Sequence, residues 1–299
     1  NKMQQMHSTS EIMKEDKNLV ENKSIEDIIK ENEPEKKPKK KLVWLVAFII
    51  SLVLCICCIL FFVLNFSSCT NGESQYKKLS SQVVSPTLTD DNKPNVKKTK
   101  EKNPIDFKAL NKINKDIVGW IKISDTNIDY PILRAPESDQ SFYLHRDYYK
   151  NYLYAGSIYM ESYNQPDFSD RNTILYGHNM ANGTMFADLH KFEDSDFFSK
   201  HKTFKVYTPK SIKTYKVYSA YEYDDRHINN SFDHFRDDKV FKEYIDYSLN
   251  PTNAIVSNVR KGTKVTINDK LITLSTCTNN RPENRFLVQG VLIKNERTE

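Results

Sequence analysis

Leu271-Ile272-Thr273-Leu274-Ser275-Thr276-Cys277 is a run of aliphatic and hydroxyl side chains that ends in a cysteine. Such side chains suit a pleated, half-buried surface better than a helix, so the run reads as a strand. Eight residues on, Arg285 opens a second apolar run, Phe286-Leu287-Val288-Gln289-Gly290-Val291-Leu292-Ile293. Working outward, the same pattern recurs at Val118–Ile123, Ile128–Leu133, Gly156–Met160, Asn172–Tyr176, Thr203–Tyr207, Lys213–Tyr223 and Lys264–Ile267. Asn268-Asp269 reads as a two-residue turn between Lys264–Ile267 and Lys270–Thr276. Helical patterns are fewer: Ile105–Asn114, with Pro104 suited to a first turn, then Met185–Phe192 and about Phe235–Leu249. Nine short strands with few helices predict a mainly β fold, closed or nearly closed into a barrel that leaves no exposed edges.

This β-rich region begins near Pro104. The whole chain has 299 residues, of which 38% are hydrophobic, enough for one or two globular domains. Its net charge of +5 is unevenly placed: residues 104–299 hold 27 Lys+Arg against 26 Asp+Glu, whereas residues 1–103 hold 17 against 13. The basic excess lies outside the globular region, which argues against a nucleic-acid partner. The sequence opens at Asn1 rather than a methionine, which reads as a trimmed start.

Leu42 to Leu64 carries no charge over 23 residues. As a helix this run is roughly 34 Å long, enough to cross a bilayer. Lys30, Lys36, Lys37, Lys39, Lys40 and Lys41 precede it closely, whereas only Lys77 and Lys78 follow closely. The positive-inside rule then predicts a cytoplasmic N-terminus and an external remainder. The expected organisation is a disordered cytoplasmic tail over 1–41, a transmembrane helix over 42–64, an extracellular stalk over 65–103 and a catalytic domain over 104–299. The apolar core is too long, and the polar segment before it too extended, for an ordinary cleaved signal peptide. Phe66-Ser67-Ser68-Cys69 departs from a lipoprotein acylation site in carrying Phe at its first position.

Of the five cysteines, Cys55, Cys57, Cys58 and Cys69 lie in or just beyond the apolar stretch, so Cys277 has no disulfide partner in its own domain. A lone thiol at a strand end is a candidate nucleophile, given a neighbouring base and a cation to hold an oxyanion. Among the six histidines of the outer region, His178 alone follows a strand directly, in Leu175-Tyr176-Gly177-His178-Asn179, with Gly177 free to turn the backbone. His145, His190, His201, His227 and His234 sit among charged or loop residues and read as ordinary surface histidines. Arg285 lies near the thiol if the last two strands pair; Arg281, in Asn279-Asn280-Arg281-Pro282, competes for the same role. Strand alternation puts Ser275 on the same face as Cys277, a candidate substrate contact or a hydroxyl bonded to the backbone. His178 and Cys277 lack further ligands at metal-site spacing, so no metal or other cofactor is expected.

These motifs together resemble those of sortases, the cysteine transpeptidases of Gram-positive cell surfaces. Thr273-Leu274-Ser275-Thr276-Cys277 is similar to their Thr-Leu-x-Thr-Cys signature. Leu175-Tyr176-Gly177-His178-Asn179 is similar to their histidine motif, and Arg285 before an apolar strand to their arginine. The order His…Cys…Arg is also the family's. The resemblance covers residues 104–299 and is nearest to class B, which has N-terminal helical residues and a helix in the long connection, here Phe235–Leu249. The polar C-terminus and the absence of an Asp-Pro-aromatic lid motif set the chain apart from class C.

The resemblance implies a closed sortase-type β-barrel of about eight strands, with an N-terminal helix and a helix in the connection before the active-site strand. It also implies that Cys277 attacks the threonine carbonyl of a sorting signal, that His178 moves the proton and that Arg285 holds the carbonyl or oxyanion. Implied partners are sorting-signal-bearing surface proteins, a cell-wall precursor or peptidoglycan amine, and membrane lipid around the N-terminal helix. Specificity would rest on the connection near 225–262. Two other readings use the same residues differently: a surface cysteine peptidase with water as acceptor, and a non-catalytic adhesion module with Cys277 as a small buried residue.

Overall fold

The computed structural model describes residues 40–85, 102–252, 254–281 and 283–298. The expected tail, up to residue 39, and residues 86–101 of the expected stalk lie outside the described residues, as does the side chain of Cys69. The chain divides into two compact units, Asn1–Leu60 and Phe61–Glu299. Helix α1, Lys40–Val83, carries a stretch of 21 residues, Val43–Val63, that is long and apolar enough to cross a membrane and is not buried at all.

Within the second unit the last turns of α1 belong to the core. Tyr76, Leu79 and Val83 share one helix face and are buried. The Tyr76 hydroxyl donates to Gly156 O at 2.9 Å, and its ring meets Tyr130 and Tyr148 edge-on with centroids 5.4 and 5.3 Å apart. After the undescribed segment, α2 (Phe107–Ile113) starts from Asp106, whose carboxylate accepts from Ala109 N at 2.9 Å.

The sheet follows: β1 (Ile117–Lys122), β2 (Asp129–Arg134), β3 (Ile158–Met160), β4 (Asn172–Tyr176), β5 (Thr203–Thr208), β6 (Ser211–Asp224), β7 (Ser257–Val259), β8 (Leu271–Cys277) and β9 (Asn284–Arg297). The order is β5-β1-β2-β3-β4-β8-β9-β6, and β6 pairs back to β5. Eight strands thus close into the expected barrel, with β7 added outside on β6. β2–β3 and β4–β8 are parallel and the other pairs antiparallel.

One expected strand is absent. Lys264–Ile267 is irregular and ends in a turn, where Asp269 N donates to Thr266 O at 3.0 Å. Val265 and Ile267 instead pack against a second apolar cluster. The short strand there is Ser257–Val259, polar in composition and held by main-chain pairing to Ser219–Tyr221.

Two clusters flank the sheet. Strand alternation divides β8 between them: Ile272 and Leu274 enter the main core, whereas Leu271 faces the second cluster. A 3₁₀ turn, Ala187–Glu193, and short helices α3 (Ser195–Lys200) and α4 (Ile228–Ser231) sit in the connections. Helix α5, Asp238–Leu249, covers the second cluster; Asp237 caps it by accepting from Lys239 N and Val240 N. Phe241, Tyr244, Ile245 and Ser248 form its buried face, each large apolar side chain contributing about 1.5–3 kcal/mol. Beneath α5, the Thr273 hydroxyl lies within 3.0 Å of Tyr244 Oη, Asn172 Oδ1 and Gln289 Oε1, so β8 carries a satisfied polar contact in an apolar layer.

Candidate active site

β8 is the middle of three strands that converge on one cleft. Its register with β9 makes Cys277 and Arg285 direct cross-strand partners. Such partners point to the same face with Cβ atoms about 5 Å apart. Its parallel register with β4 pairs Tyr176 with Ser275, and Gly177 N continues the ladder to Ser275 O at 3.2 Å. The next residue, His178, is thereby brought level with the cysteine.

His178, Ser275, Cys277 and Arg285 all line this cleft, which has a volume of about 380 Å³, together with Tyr176, Glu161 and the segment Asp224–Ile228. Cys277 is half-buried. Arg281 is absent from the cleft lining. Its Nε donates to Glu222 Oε1 at 2.5 Å, its Nη2 reaches the other oxygen, and Asn284 Nδ2 donates to Glu222 Oε1 at 2.7 Å. Arg281 thus ties down the β8–β9 loop, whereas Arg285 lines the cleft that holds the thiol.

Gly177 is required for a reason other than the expected turn. It is not among the residues with positive φ. A Cβ there would lie 2.5 Å from Ile158 Cδ1 and 2.8 Å from the Phe186 ring, so close packing excludes any side chain. That packing fixes the backbone just before His178.

The imidazole of His178 is held tightly. Its Nε2 lies 3.0 Å from Leu144 O; a carbonyl only accepts, so Nε2 donates and Nδ1 is the acceptor nitrogen of the neutral ring. Tyr154 stacks on it at 5.9 Å and 9°, and His145 at 5.1 Å and 29°. Burial, then the neighbouring His145, lower its pKa below the ordinary 6.5, while the Leu144 bond opposes them. The His145→Phe substitution keeps a stacking ring and removes the neighbouring imidazole that lowers the His178 pKa. The His178 pKa should then rise toward its ordinary value, extending the imidazolium to higher pH, as read by an NMR titration of the ring. An unmoved midpoint would show that burial alone sets the shift.

Several histidines that read as surface residues are built into this region. His227 caps α4 through Nδ1, which accepts from Asn230 N at 3.2 Å, while Nε2 donates to Glu161 Oε1 at 2.5 Å. The Glu161 contact raises the His227 pKa above its ordinary value. His190 Nε2 lies 2.9 Å from the Cys277 carbonyl. These roles join residues 66 and 87 positions apart, beyond the range of local pattern.

Comparison with known proteins adds a family. A profile described as the sortase domain matches residues 121–293. Sortase B of Listeria monocytogenes is 38% identical over 192 residues, spanning 63% of this chain and 74% of that protein. Sortase B of Staphylococcus aureus is 33% identical over 192 residues, with 63% and 75% covered. Among solved structures, B. anthracis sortase B in complex with AAEK1 matches with a TM-score of 0.59 at 29% identity, over 77% of this chain and 99% of that one. An S. aureus sortase B–substrate complex matches with a TM-score of 0.57 at 28% identity, over 75% and 97%.

Proposed function

The chain belongs to the sortase family and is a cysteine transpeptidase most like sortase B, and from that premise we propose that Cys277 is its nucleophile, His178 its proton-transfer residue and Arg285 its carbonyl-holding cation. The observation that carries this assignment is the register that makes Cys277 and Arg285 cross-strand partners on the cleft that also holds His178.

In this reading His178 Nδ1 takes the proton of the Cys277 thiol as the sulfur attacks the threonine carbonyl of a C-terminal sorting signal. The oxyanion forms beside the Arg285 guanidinium, a permanently charged donor fork. The C–N bond then breaks as His178 Nδ1 gives its proton to the leaving amine, and Cys277 holds the acyl group as a thioester. A cell-wall amine, losing a proton to His178, attacks the thioester; an amide forms and the thiol is released. Ser275, on the same strand face, contacts the bound peptide. Val43–Val63 anchors the chain in the membrane with its lysine-rich side in the cytoplasm and the catalytic unit outside, where exported surface proteins meet cell-wall precursors.

The test uses the full chain in detergent micelles with threonine-containing sorting-signal peptides and an amine acceptor. Intact-mass spectrometry should show an acyl adduct on Cys277, and chromatography an amine-linked product. Hydrolysis alone under saturating amine would overturn the acceptor assignment; no adduct with any peptide would overturn the substrate assignment.

A further inference from the structure

The carbonyl of Cys277 lies where a β-ladder runs out. On the β4 side of β8, Ser275 O accepts from Gly177 N. The next carbonyl directed that way is that of Cys277, two residues on. β4 has ended by then, at Tyr176. Side chains take the place of the missing main-chain donor: Asn179 Nδ2 donates to Cys277 O at 3.1 Å, and His190 Nε2 lies 2.9 Å from the same oxygen. Cys277 O at Nε2 and the Glu193 carboxylate at Nδ1 both only accept, so the ring that bridges them donates from both nitrogens, and Asn179 Nδ2, 3.1 Å from Nε2, is a second donor to the same carbonyl.

His190 is itself fixed from several sides. Its Nδ1 sits 2.5 Å from Glu193 Oε1. Its ring stacks on Phe286 with centroids 5.1 Å apart and planes at 24°, and Phe286 is the β9 partner of Thr276. Its side chain is only 12% exposed. Asn179 Nδ2 also reaches Asn279 Oδ1 at 2.7 Å, which ties the loop after the cysteine into the same set.

We propose that His190 is a positioning residue for acyl transfer: its Nε2–H, aided by the Asn179 amide, holds the main chain of Cys277 and so aims the sulfur at the substrate carbonyl. The inference rests on Cys277 being the nucleophile. His190 acts through the backbone of Cys277, and this role is distinct from the proton transfer assigned to His178. A terminal strand residue paired on one flank alone can swing, and a misplacement of about 1 Å can cost on the order of 100-fold in rate.

The test is single-turnover acylation by a sorting-signal peptide, with the full chain in detergent micelles. His190→Phe keeps a ring against Phe286 and removes the donor. The acylation rate should fall about tenfold while the KM for peptide stays within about twofold. His190→Gln places an amide N–H near the original Nε2 and should restore the rate to within about threefold of wild type. A wild-type rate in the phenylalanine variant overturns the proposal. So does an equal loss in both variants, since a packing role would not distinguish them. If phenylalanine prevents folding, His190→Met supplies the non-donor arm under the same criteria. Cys277→Ala is measured alongside: turnover retained there removes the nucleophile assignment itself, whatever His190 does.

Discussion

Replacing Cys277 by alanine should abolish the acyl-enzyme and lower transpeptidation by on the order of 10⁴- to 10⁶-fold, the scale seen when an attacking nucleophile is removed. In the proposed mechanism the sulfur alone forms the covalent bond, and the neighbouring Ser275 does not substitute for it, being buried and two residues back along β8. The fold should survive, because Cys277 is half-buried at a strand end and its carbonyl contacts do not involve the side chain. Intact-mass spectrometry after mixing with peptide measures the adduct, and a thermal melt checks the fold. Product formation at the wild-type rate would remove Cys277 from the mechanism.

The second large effect separates the two arginines. Arg285→Ala should lower kcat by on the order of 10²- to 10³-fold, as when a donor to a developing oxyanion is removed. Arg285→Lys should recover only part of this, because an ammonium keeps the charge but loses the planar fork. Arg281→Ala should change kcat far less and show instead in stability. The Arg281 contact is the largest influence lowering the Glu222 pKa below its ordinary 4.5. A carboxylate lowered in the folded state stabilises above its unfolded pKa, and that contribution is lost as pH falls through the lowered value. The Arg281→Ala variant should therefore melt earlier at neutral pH, and its deficit should shrink in acid. Steady-state kinetics of the three variants, with melts at two pH values, decide the matter. A greater kcat loss from Arg281→Ala would reverse the assignment.

What could be read beforehand depended on how local the cause was. The strands from Leu271 and from Phe286 are dense in strand-forming residues and were legible from short-range pattern; their pairing, which makes Arg285 the cross-strand partner of Cys277, entered the sequence reading only as a condition and is given by the register. Lys264–Ile267 has the same alternation, but Val265 and Ile267 meet the second cluster from an irregular segment, and alternation alone does not reveal a missing partner strand. Ser257–Val259 shows the converse, a polar segment made into a strand by β6. The Tyr76, Leu79 and Val83 stripe was hidden because residues 65–103 are polar on average, although the three share one helical face. His190 was beyond reach for a different reason: its partner is a main-chain carbonyl, and main-chain groups leave no trace in residue identity.

The packed end of α1 has a consequence for trimming. Tyr76, Leu79 and Val83 cover the barrel side of the second unit, and Gly72 lies so near Leu153 that an added Cβ would sit 3.1 Å from Leu153 Cδ1. A fragment that begins at Pro104 would uncover Tyr130 and Tyr148 and leave Gly156 O without the Tyr76 hydroxyl. It would forgo about 1.5–3 kcal/mol for each of the three lost side chains. Proteolytic shedding of the intact enzyme from a cell surface would therefore have to occur on the N-terminal side of Gly72; a cut nearer the barrel would release a protein already missing part of its wall.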